Sequence, residues 1–260
     1  MSEETTQVWR TALTTRDHDL YAAAWTLFMQ GMNEEVAAAR LESQREIVIP
    51  FLESLIEDDY LYQNAAPGKG NAPVNALRLL GKWNVQEAVP KLLTVLETAT
   101  PRQPTYFASI NALAQFGEDI IPTILAWVEE KPENRDEALE VLEKVATGNT
   151  EVFDLVLSWI VPEEYSLETY VQSLVELDPE RAAKVLNDLA QNRSFSKEER
   201  DIFREEIKHA QHHIEDHQHA KLEALAAAAA GPMSGISIGA NAQEATVEAE
   251  SEDGPAPDEA

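Results

Sequence analysis

Cysteine is absent from the 260 residues. That excludes disulfides, thiolate metal centres and a cysteine nucleophile, and it fits a reducing compartment. Long apolar runs are absent too, since no stretch approaches the roughly 18–20 residues that a membrane span requires. The first ten residues, MSEETTQVWR, have neither the basic start nor the apolar run of a secretory signal. The expectation from these absences is a cytoplasmic protein. Positive charge is scarce: 20 Lys and Arg stand against 47 Asp and Glu, a formal net charge of −27. Such a chain repels phosphate, and its basic residues are scattered rather than gathered into a patch. Neither nucleic acid nor a membrane surface is therefore an expected partner. A basic protein partner suits the charge, and so does a plain role of acidity in solubility.

Strand signals are nearly absent as well. Hydrophobic residues make up 44% of the chain, enough for a core. Between residues 16 and 230 they recur at intervals of three and four, the spacing of one helix face. The pattern predicts helices over 17–30, 34–45, 48–60, 73–82, 86–97, 105–116, 119–131, 134–146, 150–160, 166–177, 179–191 and 196–230. Residues 34–60 also read as one kinked helix.

Several of these segments repeat. Ile49-Pro50, Val89-Pro90 and Ile121-Pro122 each place an aliphatic residue before a proline that is expected to open an amphipathic helix. Proline suits the first helical position, where its missing N–H has no partner to lose. Upstream of two of them, Ala76 to Gly81 matches Asn111 to Gly117, each ending in a glycine expected to cap the helix in the left-handed conformation. Degenerate copies run Val141 to Gly148 and Ser173 to Asp178, and these last two read as lacking the second-helix proline. Gly117, Gly148 and Asp178 are spaced 31 and 30 residues apart, whereas Gly81 to Gly117 is 36 because of the loop 98–104. A period near 31 filled by two helices implies helical hairpins that bury their apolar faces only by stacking on neighbours.

The run Val74 to Leu96, with Leu79-Leu80-Gly81 and then Glu87-Ala88-Val89-Pro90-Lys91-Leu92-Leu93, resembles the short bacterial HEAT repeat named after the bilin-lyase subunits of the phycobilisome. The resemblance covers 73–190 well and 17–60 loosely, and departs from the pattern at Pro73-Val74-Asn75, where a charged pair is customary. It implies an all-α solenoid of about five HEAT-like hairpins, with an arm over 1–16, repeats over 17–195, a His-rich helix over 196–230 and a disordered acidic tail over 231–260. The tail expectation rests on composition: seven acidic residues and no Lys or Arg.

The helix 196–230 opens with the capping box Ser196-Lys197-Glu198-Glu199. Phe203, Ile207, Ala210 and Ile214 form one stripe along it, expected to dock on the last repeat. Five of the six histidines follow: His209, His212, His213, His217 and His219. They fall on an arc of about 160° beside that stripe, with Asp216 near the middle. His209/His213 and His213/His217 have the i,i+4 spacing that lets two imidazoles share a divalent metal, and Asp216 pairs similarly with His212. His209, His212, His213, Asp216 and His217 are thus the candidate metal ligands, against the alternative of a solvated polar face. The five tryptophans read mainly as core, Trp127 and Trp159 at equivalent positions on second helices, with Trp83 set apart in a turn. Gly68-Lys69-Gly70 lacks the strand and the Ser or Thr of a phosphate loop and reads as an ordinary loop. The acidic runs Glu57-Asp58-Asp59 and Glu129-Glu130 suggest an anionic rim. No catalytic constellation emerges from the spacing.

These features point to a non-catalytic scaffold or adaptor that binds a protein on its repeat surface. The resemblance also implies an alternative, an accessory subunit or chaperone for attaching a bilin tetrapyrrole. A third reading is metal handling through the His-rich helix.

Overall fold

A computed structural model describes residues 3–230. The chain separates into two units, Met1–Asp216 and His217–Ala260. Among the described residues every regular element is helical and there is no strand, as the periodicity predicts. The helices are α1 (Glu3–Thr14), α2 (Tyr21–Phe28), α3 (Glu34–Leu41), α4 (Arg45–Ile56), α5 (Asn71–Lys82), α6 (Val89–Thr98) and α7 (Pro104–Ala114). They continue as α8 (Ile121–Glu130), α9 (Arg135–Val145), α10 (Thr150–Ser158), α11 (Leu167–Leu177), α12 (Pro179–Leu189) and α13 (Lys197–Ala230). The boundary between the units falls within α13. In the second unit the described residues are the continuation of that helix, where His219 Nδ1 lies 3.4 Å from Glu223 one turn on. The tail expected over 231–260 lies outside the described residues. None of these helices is long and apolar enough to cross a membrane.

Local sequence accounts for most boundaries. Pro90, Pro104, Pro122 and Pro179 all sit in the first turn of their helices, so the fourth copy does carry the second-helix proline. Asn33, Asn149 and Asp178 cap α3, α10 and α12 by accepting the first free backbone N–H groups. Pro50 departs from expectation: it stands inside α4, which begins five residues earlier at Arg45. Pro50 is on the exposed side, where water can solvate the carbonyl that its ring leaves without a donor. Helices α3 and α4 join through a single 3₁₀ turn, Glu42–Gln44, which settles 34–60 as two helices.

The residues assigned to an arm, 1–16, instead contain α1. Trp9 and Ala12 are buried there, and the Trp9 indole donates to Asp58 Oδ2 at 2.9 Å across a separation of 49 residues. The ring of Tyr60 stacks on Trp9 at 6.2 Å. Asp58 is consequently buried and belongs to the core rather than to an anionic rim.

Helix α5 is buried on nearly every side, from Ala72 through Leu77 and again at Leu79, Leu80 and Gly81. It packs on α4 and α7, and touches α2 and α3. Its Asn75 side chain, also buried, donates to the carbonyls of Leu27 (2.7 Å) and Met29 (3.0 Å), satisfying the end of α2. From α5 the first helices follow one another in space, α5 on α7, α7 on α9, α9 on α11. Gly117 (φ +62°) and Gly148 (φ +77°) adopt the expected left-handed conformation. Gly81 does not. It lies inside α5, and the left-handed residue beyond that helix is Asn84 (φ +52°). A Cβ on Gly81 would stand 2.5 Å from Ala112 Cα and 2.8 Å from the Ala112 carbonyl oxygen. The glycine therefore sets how closely α5 and α7 cross.

At an unconstrained helix interior, replacing Gly by Ala gains about 1 kcal/mol. Here the backbone of α7 blocks the methyl, and overpacking costs about 1–3 kcal/mol. Gly81→Ala is expected to lower the denaturant midpoint; an unchanged or raised midpoint contradicts the close crossing.

Candidate functional site

Helix α9 reads RDEALEVLEKV. Ala138, Leu139, Val141, Leu142 and Val145 face the core. Asp136, Glu140 and Glu143 recur at four and three residues, which puts them on one side of the helix, with Glu137 beside them. Each is held by a hydroxyl from a neighbouring first helix. Tyr106 Oη of α7 donates to Glu140 Oε1 at 2.8 Å. Ser166 Oγ, just before α11, donates to Asp136 Oδ2 at 3.1 Å, and Ser173 Oγ of α11 donates to Glu143 Oε1 at 2.5 Å. The partners are 34, 30 and 30 positions apart in sequence. Glu176 of α11 extends the row.

The row is electrostatically strained. Among the described residues no Lys or Arg forms an ion pair with Asp136, Glu137, Glu140 or Glu143. Burial raises the proton affinity of Glu143; the Ser173 hydrogen bond and nearby Lys144 offset part of this, while Glu176 and Glu140 add to it. Glu137 is raised in the same way, by burial first and then by Asp136 and Glu140. Burial also pushes the Tyr106 hydroxyl far above the ordinary phenol range, with its bond to Glu140 next in importance. Desolvation together with like charge is a combination that recurs at functional sites.

The inter-helix ion pairs lie elsewhere. Lys91 of α6 bridges to Glu53 and Glu57 at the end of α4, both at 2.8 Å. Lys131, after α8, reaches Glu97 of α6 at 2.6 Å. Arg181 of α12 pairs with Asp154 of α10. These bridges lie away from the α9 row, where Lys144 is near Glu143 but forms no ion pair with it among the described residues.

At its end the row meets α13, the helix of the candidate metal ligands. Phe203 and Ala210 are fully buried, Ile207 and Ile214 half-buried, so the stripe docks as expected; the Phe203 ring meets Phe195 edge-on at 5.1 Å. The capping box forms: Glu199 N–H donates to Ser196 Oγ at 3.1 Å and Ser196 N–H to Glu199 Oε2 at 2.5 Å. His209 and His213 line a groove of about 520 Å³ opposite Glu143 and Glu176, with buried Glu206 between. His209 Nδ1 is 3.0 Å from Glu206 Oε2, His212 Nε2 is 3.4 Å from Asp216 Oδ2, and His213 Nε2 is 3.9 Å from Glu176 Oε1. Each imidazole thus faces a carboxylate rather than a second imidazole. Among the described residues no three His, Asp or Glu side chains converge on a point that would hold a metal. His217, in the second unit, is exposed.

The other sequence candidates fall as follows. Trp9, Trp83, Trp127 and Trp159 are buried, but Trp25 is half-exposed, beside exposed Met29 and Val36. Trp83 is covered by the Arg45 guanidinium, 5.6 Å from the ring centre. Gly68, Lys69 and Gly70 form a left-handed run (φ +75°, +53°, +86°). A Cβ on Gly68 would meet the Phe28 carbonyl at 2.8 Å, so this loop is a packed turn with no room for a phosphate. The acidic row of α9 escaped sequence reading, because carboxylates are so abundant that spacing alone selects none of them. The signal that isolates it is a hydroxyl some 30 to 34 positions away facing each of Asp136, Glu140 and Glu143.

A carboxyl whose folded value is raised binds protons more tightly folded than unfolded, so its contribution to stability falls as pH rises through that value. Glu143→Gln keeps an acceptor for Ser173 and removes the charge. It is expected to stabilise the protein at neutral pH by about 0.5 kcal/mol, with the gain vanishing below the ordinary carboxylate range. Thermal melts at acidic and neutral pH check this, and a destabilised variant at neutral pH contradicts it.

Comparison with protein families, with curated proteins and with solved structures returns no match for this chain.

Proposed function

We propose that this chain is a non-catalytic scaffold, a solenoid of HEAT-like helical hairpins, that binds a basic segment of a partner protein along the acidic row of α9 and α11. The observation that carries this reading is the set of part-buried carboxylates Glu137, Glu140 and Glu143, held together with no Lys or Arg paired to them. A ligand cation entering the row relieves repulsion that the free protein sustains, and its field is little screened there because the acids are partly desolvated. The net charge of −27 adds long-range attraction that speeds encounter. Lateral bonds spaced by about one repeat support the stacked-hairpin part of the reading, since only equivalent positions of adjacent units meet at that separation.

The test uses a labelled oligolysine peptide with the full chain, read by fluorescence anisotropy. Replacing Glu140, Glu143 and Glu176 together by Gln removes three of the row's charges. Affinity is expected to fall by roughly tenfold or more, and binding to the unaltered chain to weaken as salt is raised. The same substitutions are expected to leave folding stability equal or improved, so lost binding is not lost fold. Equal affinity of the variant and the unaltered chain rejects the row as the binding surface.

A further inference from the structure

Successive second helices are bridged by a cation at three seams: Lys91 between α4 and α6, Lys131 between α6 and α8, and Arg181 between α10 and α12. Among the described residues the seam between α8 and α10 lacks such a bridge. It opens instead into a groove of about 700 Å³ with Leu125, Leu155 and Trp159 on its walls. Glu129 of α8 and Glu151 of α10 also line this groove, and among the described residues neither has an ion-pair partner. Arg135 lies in the same groove. Its guanidinium stacks over the Trp159 ring at 5.1 Å, and its Nε is buried without a hydrogen-bond acceptor. A buried donor left unpaired is costly, so an acceptor that reaches it is favoured. The seam therefore combines an apolar wall, two unpaired carboxylates and an unsatisfied donor.

We propose that the α8–α10 seam is a docking groove for a partner segment in which apolar residues flank a lysine or arginine. The partner's cation takes the place between Glu129 and Glu151 that the chain's own cations take at the other three seams. Its apolar side chains cover Leu125 and Leu155, and one of its main-chain carbonyls accepts from Arg135. The inference rests on the proposed preference for a basic partner, but its residues are separate from the acidic row. It divides recognition in two: the row attracts basic charge of any pattern, and the groove selects basic segments that carry an apolar face.

The experiment compares two labelled peptides of identical Leu and Lys composition, one with all Leu on a single helix face and one scrambled. Each is titrated into the full chain by fluorescence anisotropy. The two-faced peptide is expected to bind roughly tenfold tighter or better. Ala126→Arg projects from an exposed position into the groove and supplies a cation of its own; it is expected to abolish that preference while leaving the scrambled peptide's affinity unchanged. Arg135→Gln is expected to weaken the two-faced peptide by roughly three- to tenfold, with helical content by circular dichroism confirming an intact fold. Equal affinity for both peptides, or a preference that survives Ala126→Arg, overturns the groove while leaving the acidic row standing. If the peptides respond to Ala126→Arg and not to the Glu-to-Gln changes in α9 and α11, the row is rejected and the groove stands. Binding of neither peptide rejects both.

Discussion

The arrangement of the first unit depends on how closely α5 and α7 approach. Gly81 brings the backbones together where a single methyl would stand 2.5 Å from Ala112 Cα. Helix α5 is buried on nearly all sides, so its position fixes that of α4 and α2 before it and α7 after it. Close-packed interiors transmit such constraints because they have few voids in which to absorb a shift. The position of α9 follows through its packing on α7, and that of α11 through α9. The hydroxyls of Tyr106, Ser166 and Ser173 can each reach a carboxylate of α9 only because these spacings are held. The acidic row is in this sense a consequence of helix packing several elements away.

Charge is distributed unevenly among the helices. Lysine and arginine bridges join α3 to α5, α4 to α6, α6 to the end of α8 and α10 to α12, while Asp136, Glu140 and Glu143 of α9 accept from hydroxyl groups. A hydroxyl donor orients a carboxylate without neutralising it. The row therefore keeps its charge and a fixed geometry together, which is what recognition of a cationic group requires. The raised proton affinities of Glu137 and Glu143 are the corresponding cost in folding stability. Such a trade between stability and a strained polar surface is a familiar signature of binding sites.

Much of the fold was legible from periodicity and punctuation. Helices α2 through α13 each overlap a predicted segment, with α4, α5, α6 and α7 running one to three residues beyond its bounds, because apolar spacing, first-turn prolines and Asn or Asp caps largely agree. The exceptions have physical causes. Helix α1 carries three threonines among its first nine residues, and a β-branched residue loses rotamer freedom in a helix. It is stabilised by Trp9 reaching Asp58, a contact invisible in local sequence. Gly81 carries the same local signal as a capping glycine, and only the neighbouring helix reveals its different role. Asp58 looked like part of a surface acidic run until its partner was in view. The histidines were legible as a helical arc, but not their pairing with Glu206 and Glu176, since Glu176 comes from α11. The acidic row was the least legible feature, because a chain with 47 acids offers too many candidate pairs to choose from.

The central claim is that the carboxylates of α9 are held in mutual repulsion that a basic ligand relieves. Carboxyl ¹³C NMR on the full chain measures this directly, by following the titration of Glu143 and Glu137 with and without saturating oligolysine. The account predicts that both titrate above the ordinary carboxylate range in the free protein and shift downward when the peptide is bound. Ordinary titration in the free protein, or values that do not move on adding peptide, would contradict it.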